Sequence, residues 1–342
     1  MEEKPKKSAL KTAVTIVISL AIAAVFMWWA LKGIEFSRIA GYFAKANYFW
    51  VLLAAAFGIA AYWFRAVRWN LLLQPMGYTV KTSNAFWTLS FGYLMNLTIP
   101  RSGEVARATA LYSVEDVPVD KSFGTIILER VIDLLCMVVF LILTLIFKYD
   151  AFIAFYKYIT QQKTDTQSTG NRWLLIAGAL TVVIIIFFVL RKKLQQLPLY
   201  QKIVGFLRGI GDGLMSVFRM KEKKKFIFYT AGIWVSYYLA AYLVCFALPE
   251  TSGFTWADGF FIIVVGTMGM MVPASGGIGA YHLALKFGIM ALFLSLGLDP
   301  EEGGEVGLSY GFISHTMQLV IMLVMGVIAI PVLARERSRK RS

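Results

Sequence analysis

Six long apolar runs constrain the fold of this chain more than any other feature. They cover residues 10–31, 48–64, 122–147, 173–190, 226–248 and 305–333. An α-helix needs about 20 mostly apolar residues to cross the hydrocarbon core of a bilayer. The whole sequence is 58% hydrophobic and 16% charged, which is unlike a typical soluble domain. The sequence therefore predicts an all-α integral membrane protein with about six full transmembrane helices, not a soluble enzyme.

The positive charge of the chain is concentrated between and beyond these runs. The formal net charge is +14, and residues 191–225 alone carry ten Lys and Arg. Basic loops and tails of membrane proteins stay on the cytoplasmic side, so we expect both termini there. We expect a bacterial cytoplasmic membrane as the location, the first run as an uncleaved anchor, and no binding of nucleic acid.

Two further apolar segments, residues 83–117 and 258–298, are short and interrupted by polar or glycine-rich loops. If residues 83–99 formed a full span, the most basic loop would lie outside the cell, against the charge rule. Two re-entrant helical hairpins that enter from opposite faces remove this conflict. The alternative is that both segments are ordinary spans with tight loops outside the membrane.

This arrangement predicts one membrane domain, residues 1–342, built on an inverted-topology repeat. Such repeats place a transport site where the broken elements meet, near the membrane midplane. The predicted parts are an anchor and connection at 1–47, a first repeat at 48–147, a span with a basic amphipathic linker at 148–225, a second repeat at 226–333 and a basic tail at 334–342.

Charged residues inside an apolar run are costly and need partners. Glu129 and Asp133 share one helix face, and Arg130 reaches Asp133 at a spacing of three. One arginine does not neutralise two carboxylates, so we expect a second cation, Arg101 or Arg107, from the first hairpin. A guanidinium group in this cluster suits a lipid phosphate. The alternative is a charge cluster that only holds the hairpin in place.

Two other basic positions have plainer interpretations. Arg65 and Arg68 follow the second run and are expected to anchor it at the membrane interface. Lys286 lies within an apolar arm and is expected to snorkel or to pair with an acidic residue.

The second hairpin carries neutral polar residues. Its loop, with Ser275, Gly276, Gly277 and Gly279, allows backbone amides to point into a cavity, and a helix starting near residue 280 would favour an anion. Close helix packing is the competing interpretation of these glycines.

His282 follows this loop, and His315 lies in the last run near the midplane. Histidine there relays protons or binds a headgroup, or is simply a hydrogen-bonded core residue. Neither histidine belongs to a metal-binding pattern. Cys136 and Cys245 lie inside apolar segments, where a free cysteine is expected to act as a small apolar side chain. We expect no metal and no cofactor.

Four motifs together resemble a known family. They are RAVRW at 65–69, NLTIPRSGEVAR at 96–107, LERVID at 128–133 and PASGGIG at 273–279. In this order and spacing they are similar to the lysylphosphatidylglycerol synthase transmembrane, or flippase-like, family. In bifunctional members of that family, the membrane domain translocates an aminoacylated phospholipid made by a fused cytosolic domain. Relatives often have Glu after the glycine-rich loop, where this chain has Tyr281 and His282.

The resemblance implies a lipid translocator that moves a phospholipid or a polyprenyl-linked phosphate. Only a short basic tail follows residue 333, so we expect a stand-alone member without the synthase domain, and no enzyme activity. The predicted substrate-binding residues are Arg101, Glu104, Arg107, Glu129, Arg130, Asp133, Ser275, Gly276, Gly277, Gly279 and His282, with His315 as a proton relay. Two alternatives stay open: a membrane-embedded enzyme that modifies a lipid headgroup, and a non-catalytic partner of a separate cytosolic synthase.

Overall fold

The computed structural model describes residues 5–33, 36–99, 101–161 and 221–341. These residues form α-helices joined by short turns, and this described part contains no strand, as the all-α prediction requires. The helices are α1 (Pro5–Leu31), α2 (Phe36–Lys45), α3 (Tyr48–Leu73), α4 (Thr82–Thr98), α5 (Gly103–Glu115), α6 (Val119–Phe147), α7 (Tyr149–Gln161), α8 (Lys223–Cys245), α9 (Trp256–Met271), α10 (Ala280–Ser295) and α11 (Pro300–Arg341).

Six segments are long and apolar enough to cross a membrane. They are Val14–Leu31, Tyr48–Met76, Val119–Phe147, Lys223–Cys245, Ser275–Ser295 and Pro300–Lys340. Five of them coincide with predicted spans, whereas Ser275–Ser295 falls inside the second predicted hairpin. The predicted span at 173–190 and the amphipathic part of the linker lie outside the described residues. The prediction of about six membrane helices is confirmed.

The chain divides into two compact units. The first consists of residues 1–155 and 221–342, and the second of residues 156–220. Of the second unit the structure describes only residues 156–161, the end of α7. All contacts reported below lie within the first unit.

Each interrupted apolar segment folds as a pair of helices that pack against each other, α4 with α5 and α9 with α10. At the first break, the Ser102 hydroxyl donates to the carbonyl oxygens of Met95 (2.9 Å) and Ile99 (2.8 Å). The side-chain oxygen of Asn96 accepts the Gly103 amide at 2.7 Å. The bond from Gly103 satisfies an amide that the start of α5 leaves free, and the bonds from Ser102 fasten the loop to the end of α4.

Both open ends of the α4–α5 pair lie beside the C-terminal end of α11. Lys81, just before α4, pairs with Glu336 of α11 at 3.7 Å. Asp116, just after α5, pairs with Lys340 at 2.5 Å. The first hairpin therefore begins and ends at the same end of the helix bundle.

The α9–α10 pair opens toward the other end of α11. Gly303, in the first turn of α11, packs against Phe293 near the end of α10. At the start of α9, Asp258 pairs with Lys148 at the end of α6 (2.6 Å). Since α11 has 42 residues, at 1.5 Å per residue its ends lie about 60 Å apart. The two hairpins thus open at opposite ends of this helix, while their insertion into a bilayer stays a prediction.

Candidate functional site

Helix α3 brings two arginines into the interior of the protein. The helix does not end with the apolar run at residue 64 but continues to Leu73. Arg65 and Arg68 therefore stand inside the helix, and their exposed fractions are 4% and 0%. The predicted role of these residues as interfacial anchors is wrong.

Asp133 of α6 binds both of these arginines. Its Oδ2 accepts from Nη2 of Arg65 at 2.5 Å, and its Oδ1 accepts from Nη2 of Arg68 at 2.9 Å. Nη1 of Arg65 also donates to the Tyr237 hydroxyl of α8 at 2.8 Å. One carboxylate therefore joins α6 to α3, and Arg65 extends the connection to α8.

Glu129, one turn before Asp133, binds the first hairpin. Its Oε2 accepts from Nη1 of Arg107 in α5 at 2.7 Å, and its Oε1 lies 4.0 Å from Nη2 of Arg68. The guanidinium group of Arg107 stacks 3.5 Å from the centre of the Trp69 ring, which gives a cation–π contact. The second cation expected beside the two carboxylates is Arg107, and the two arginines of α3 join it.

This buried arginine–carboxylate cluster (Arg65, Arg68, Arg107, Glu129 and Asp133) holds three guanidinium groups and two carboxylates. It therefore carries one positive charge in excess. Within the described part of the chain, Nε of all three arginines and Nη1 of Arg68 have no hydrogen-bond acceptor. A buried unbalanced charge is expensive at low dielectric, so the cluster is suited to a further anionic group.

Arg130 is not a member of this cluster and pairs with a different carboxylate. Its Nη2 donates to Oε1 of Glu104 in α5 at 3.0 Å, and both side chains are partly exposed. The predicted pair of Arg130 with Asp133 is not formed, because the two guanidinium groups of α3 already occupy Asp133. Arg130 lies instead on the adjacent face of α6, which packs against α5.

A polar cleft lies between α4, α5 and α6. Tyr93, Asn96, Glu104, Arg107 and Arg130 line it, and its interior volume is about 10 Å³, which is room for about one water molecule. The cleft thus runs from the partly exposed Glu104–Arg130 pair to the buried Arg107. Arg101 lies at the exposed tip of the hairpin with φ of 60° and is not a member of these ion pairs.

The backbone amides in the glycine-rich loop of the second hairpin form hydrogen bonds within the loop and to the start of the next helix. The amides of Gly277 and Ile278 donate to the carbonyl oxygens of Ala274 (3.0 Å) and Ser275 (3.1 Å). The amide of Gly279 donates to Nδ1 of His282 at 3.3 Å. Helix α10 begins at residue 280, as expected, but these three amides are already satisfied and do not favour an anion.

The same loop packs against α1. The hydroxyl groups of Ser19 and Ser275 lie 3.0 Å apart. A Cβ atom on Gly279 would come within 2.5 Å of the Ala23 carbonyl oxygen and 2.6 Å of the Met27 nitrogen. Close helix packing, the competing interpretation of these glycines, is what the structure shows at residue 279.

Lys286 connects the outgoing arm of this hairpin to α1. Its ammonium group donates to the carbonyl oxygen of Ala30 at 2.9 Å and to that of Lys32 at 3.4 Å. These carbonyl groups belong to the C-terminal end of α1, which has no further helical turn to bond them. Lys286 is therefore a C-terminal cap of α1, a role that the sequence did not indicate.

The tips of the two hairpins meet. A Cβ atom on Gly276 would lie 3.3 Å from Cδ2 of Leu97, in the last turn of α4. The carbonyl oxygen of Gly276 lies 2.8 Å from Nε2 of His315 in α11. Residues from both halves of the sequence thus contact one short loop. Across the described ranges no group of three or more His, Cys, Asp or Glu residues could hold a metal ion.

Comparison with known proteins supports the family resemblance that the motifs indicate. The family described as "Lysylphosphatidylglycerol synthase TM region" matches residues 16–326. The chain belongs to this family. A UPF0104 membrane protein from Methanocaldococcus jannaschii is 28% identical to this chain over 119 residues, which are 34% of this chain and 35% of that protein. One from Pyrococcus horikoshii is 25% identical over 142 residues, 40% of this chain and 41% of that protein. The aligned parts thus span well under half of either relative, and no solved structure matches.

Proposed function

We propose that this member of the lysylphosphatidylglycerol synthase transmembrane-region family is a flippase-like translocator of a phospholipid or lipid-linked phosphate. One observation carries the proposal: the buried arginine–carboxylate cluster has one excess positive charge and borders a polar cleft. Phosphate is the anionic group that a membrane lipid offers. Guanidinium groups bind it through two parallel hydrogen bonds.

Arg130 and Arg107 are the phosphate-binding residues in this proposal, because both line the cleft. Glu104 holds Arg130 at the mouth, and Glu129 holds Arg107 at the inner end. Arg101, on the exposed tip, makes the first contact with the headgroup. Asp133 keeps the α3 arginines in place behind the cleft, where they supply positive potential.

The two hairpins are re-entrant elements of an inverted-topology repeat in this proposal. Support comes from their opening at opposite ends of α11 and from the contact between Leu97 and Gly276. Irregular backbone at membrane depth is tolerated where it is buried in protein or lines a wet cavity. The meeting hairpin tips are then the gate between the two sides of the membrane.

The basic end of the helix bundle faces the cytoplasm in this proposal, and both termini lie there. The basic residues at 335–340 end α11, and those at 221–225 begin α8. The acidic residues at 299–305 lie at the opposite end of α11. This distribution follows the positive-inside rule for the cytoplasmic membrane.

Translocation is better supported than headgroup chemistry. A catalytic acid or base needs a carboxylate that is available to exchange a proton with substrate. Glu129 and Asp133 are each bound by guanidinium groups at 2.5 to 2.9 Å. Their geometry suits the positioning of cations. A separate cytosolic synthase that delivers the lipid remains part of the proposal as a partner.

The test is lipid movement by purified protein in liposomes, measured with a lipid whose headgroup fluorescence can be quenched from outside. Arg130→Gln should slow movement about tenfold or more, since a hydrogen bond to a charged group contributes about 1.5–3 kcal/mol. Lys225→Gln is the matched control, because Lys225 forms an exposed ion pair with Glu222 outside the cleft. Equal rates in both variants and the unaltered protein, or a modified headgroup among the lipid products, would contradict the proposal.

A further inference from the structure

The two histidines of this chain lie side by side next to the tip of the second hairpin. His282 is in the first turn of α10 and His315 is in α11. Their ring centroids are 4.9 Å apart, and their exposed fractions are 3% and 1%. They are 33 positions apart in the sequence, so the fold has brought them together.

The hydrogen bonds of the pair define where each neutral ring carries its proton. Nε2 of His315 lies 2.8 Å from the Gly276 carbonyl oxygen, which only accepts, so Nε2 is the protonated nitrogen. Nδ1 of His315 then has a free lone pair, and this buried atom has no partner among the described residues. In His282, Nδ1 accepts the Gly279 amide at 3.3 Å, so the neutral ring carries its proton on Nε2.

The surroundings of the pair are neutral. Tyr281 of α10 lies 5.0 Å from the His315 ring, and Phe312 of α11 lies 4.4 Å from the His282 ring. The nearest basic residue along α10, Lys286, is engaged with the end of α1. Over the part of the chain that the structure describes, no carboxylate or basic side chain forms an ion pair with either ring, and no metal-ligand set includes them.

We propose that His282 and His315 form one proton-binding site, with Nδ1 of His315 as the atom that receives the proton from water. The buried free lone pair supplies the acceptor. The neighbouring imidazole limits the site to a single proton, because two imidazolium rings 4.9 Å apart repel each other. The coupled pair therefore titrates as a unit rather than as two independent histidines.

Proton binding acts on the contact between the hairpin tips. His315 holds the carbonyl oxygen of Gly276, and Gly276 contacts Leu97 of the first hairpin. A positive charge at this buried point is more stable when water reaches it, so the proton favours the form in which the tips are apart. This coupling between proton binding and the hairpin tips rests on the proposed function, whereas proton binding itself does not.

The presence of only two histidines makes a direct test practical. NMR of protein labelled at the histidine ring Cε1 gives two signals, which are followed over pH in lipid nanodiscs. His282→Asn keeps an oxygen near the position of Nδ1 to accept the Gly279 amide, and His315→Gln keeps an amide nitrogen near Nε2 to donate to Gly276. Each variant assigns the remaining signal and preserves the hydrogen bond that holds the loop.

At least one ring should titrate between about pH 4 and pH 9 in the unaltered protein. The ring that titrates at the lower pH should move up by about 2 pH units when its neighbour is replaced, from Coulomb repulsion at an effective dielectric constant of about 20. Unchanged midpoints in both variants, or no titration of either ring, would overturn the proton site.

The coupling is tested separately by the pH dependence of lipid movement in liposomes. The unaltered protein should change rate across the titration of the pair, and His315→Gln should remove that change while lipid movement continues. A pH-independent rate in the unaltered protein overturns the coupling but leaves the NMR result intact. If the protein moves no lipid at any pH, the proposed function fails, and with it the coupling, while the titration still decides the proton site.

Discussion

The two helical hairpins have similar shapes but are held by opposite chemistry. The first is joined to its neighbours by ion pairs, Arg107 with Glu129 and Arg130 with Glu104. The tip of the second is held by close packing and neutral hydrogen bonds, one between the hydroxyl groups of Ser275 and Ser19 and one from Nε2 of His315 to the Gly276 carbonyl oxygen. The difference fits the proposed function, in which the first hairpin recognises a charged group and the second provides a contact that opens and closes.

The difference also has an energetic side. Removal of one partner from a buried ion cluster leaves an uncompensated charge, so the first hairpin is expected to respond steeply to the loss of a carboxylate. Neutral hydrogen bonds between membrane helices contribute much less each. The second hairpin should therefore be weakened gradually by substitutions, except where its backbone touches α1.

The largest expected effect is that of Asp133→Asn. The carboxamide keeps the shape of the side chain but removes the charge that holds Arg65 and Arg68. The excess in the buried cluster then rises from one positive charge to two. The free energy of unfolding in detergent, measured by denaturation with SDS, should fall by about 3–5 kcal/mol.

Arg107→Gln in the same cluster is the comparison for this variant. It breaks the Arg107–Glu129 pair but leaves the two remaining cations and the two carboxylates balanced. Its loss of stability should be smaller than that of Asp133→Asn. A larger loss for Arg107→Gln would show that the excess charge does not control the stability of the first hairpin.

A smaller effect is expected at Gly279 in the second hairpin. This residue has φ of +81°, and a Cβ atom there would strike the backbone of α1 at Ala23 and Met27. Gly279→Ala therefore combines a strained backbone with overpacking. The two together should lower the free energy of unfolding by about 2–4 kcal/mol in the same SDS measurement.

Gly297→Ala separates these two contributions. Gly297 has a similar φ of +72°, but a Cβ atom there meets nothing within 4 Å. Its cost should be the backbone strain alone, about 1–2 kcal/mol. If both alanine variants lost the same stability, the packing of the loop on α1 would contribute nothing. The statement that close packing holds the second hairpin would then be wrong.

The sequence predicted the helices because their signal is local. Long apolar runs and their interruptions identified five of the spans and both helix pairs. The need for a second cation pointed to Arg101 or Arg107, and Arg107 is the one that binds Glu129. Partners on other helices were harder to predict. Arg130 has Asp133 within reach on its own helix, yet it binds Glu104 of α5 because α3 supplies the cations for Asp133.

The binding of Arg65 and Arg68 to Asp133 was missed for a related reason. A basic residue after an apolar run is usually an interfacial anchor, and nothing in the run shows that α3 continues to Leu73. A signal was present in the spacing, since two arginines three apart can face two carboxylates four apart on a neighbouring helix. The contact of the two histidines had no such signal, because it depends on how α10 packs against α11.

The smallest expected effect is the loss of the hydrogen bond between Ser19 and Ser275. Its size shows directly how firmly the tip of the second hairpin is held. Ser19→Ala, Ser275→Ala and the double variant form a cycle that isolates the pair. Interhelical hydrogen bonds in membrane proteins average about 0.6 kcal/mol, so the coupling energy from SDS denaturation should be of that size. A coupling energy of several kcal/mol, comparable to the loss in Asp133→Asn, would mean that the neutral hairpin is held as rigidly as the charged one. Its tip would then be a fixed support for α1 rather than a contact that opens.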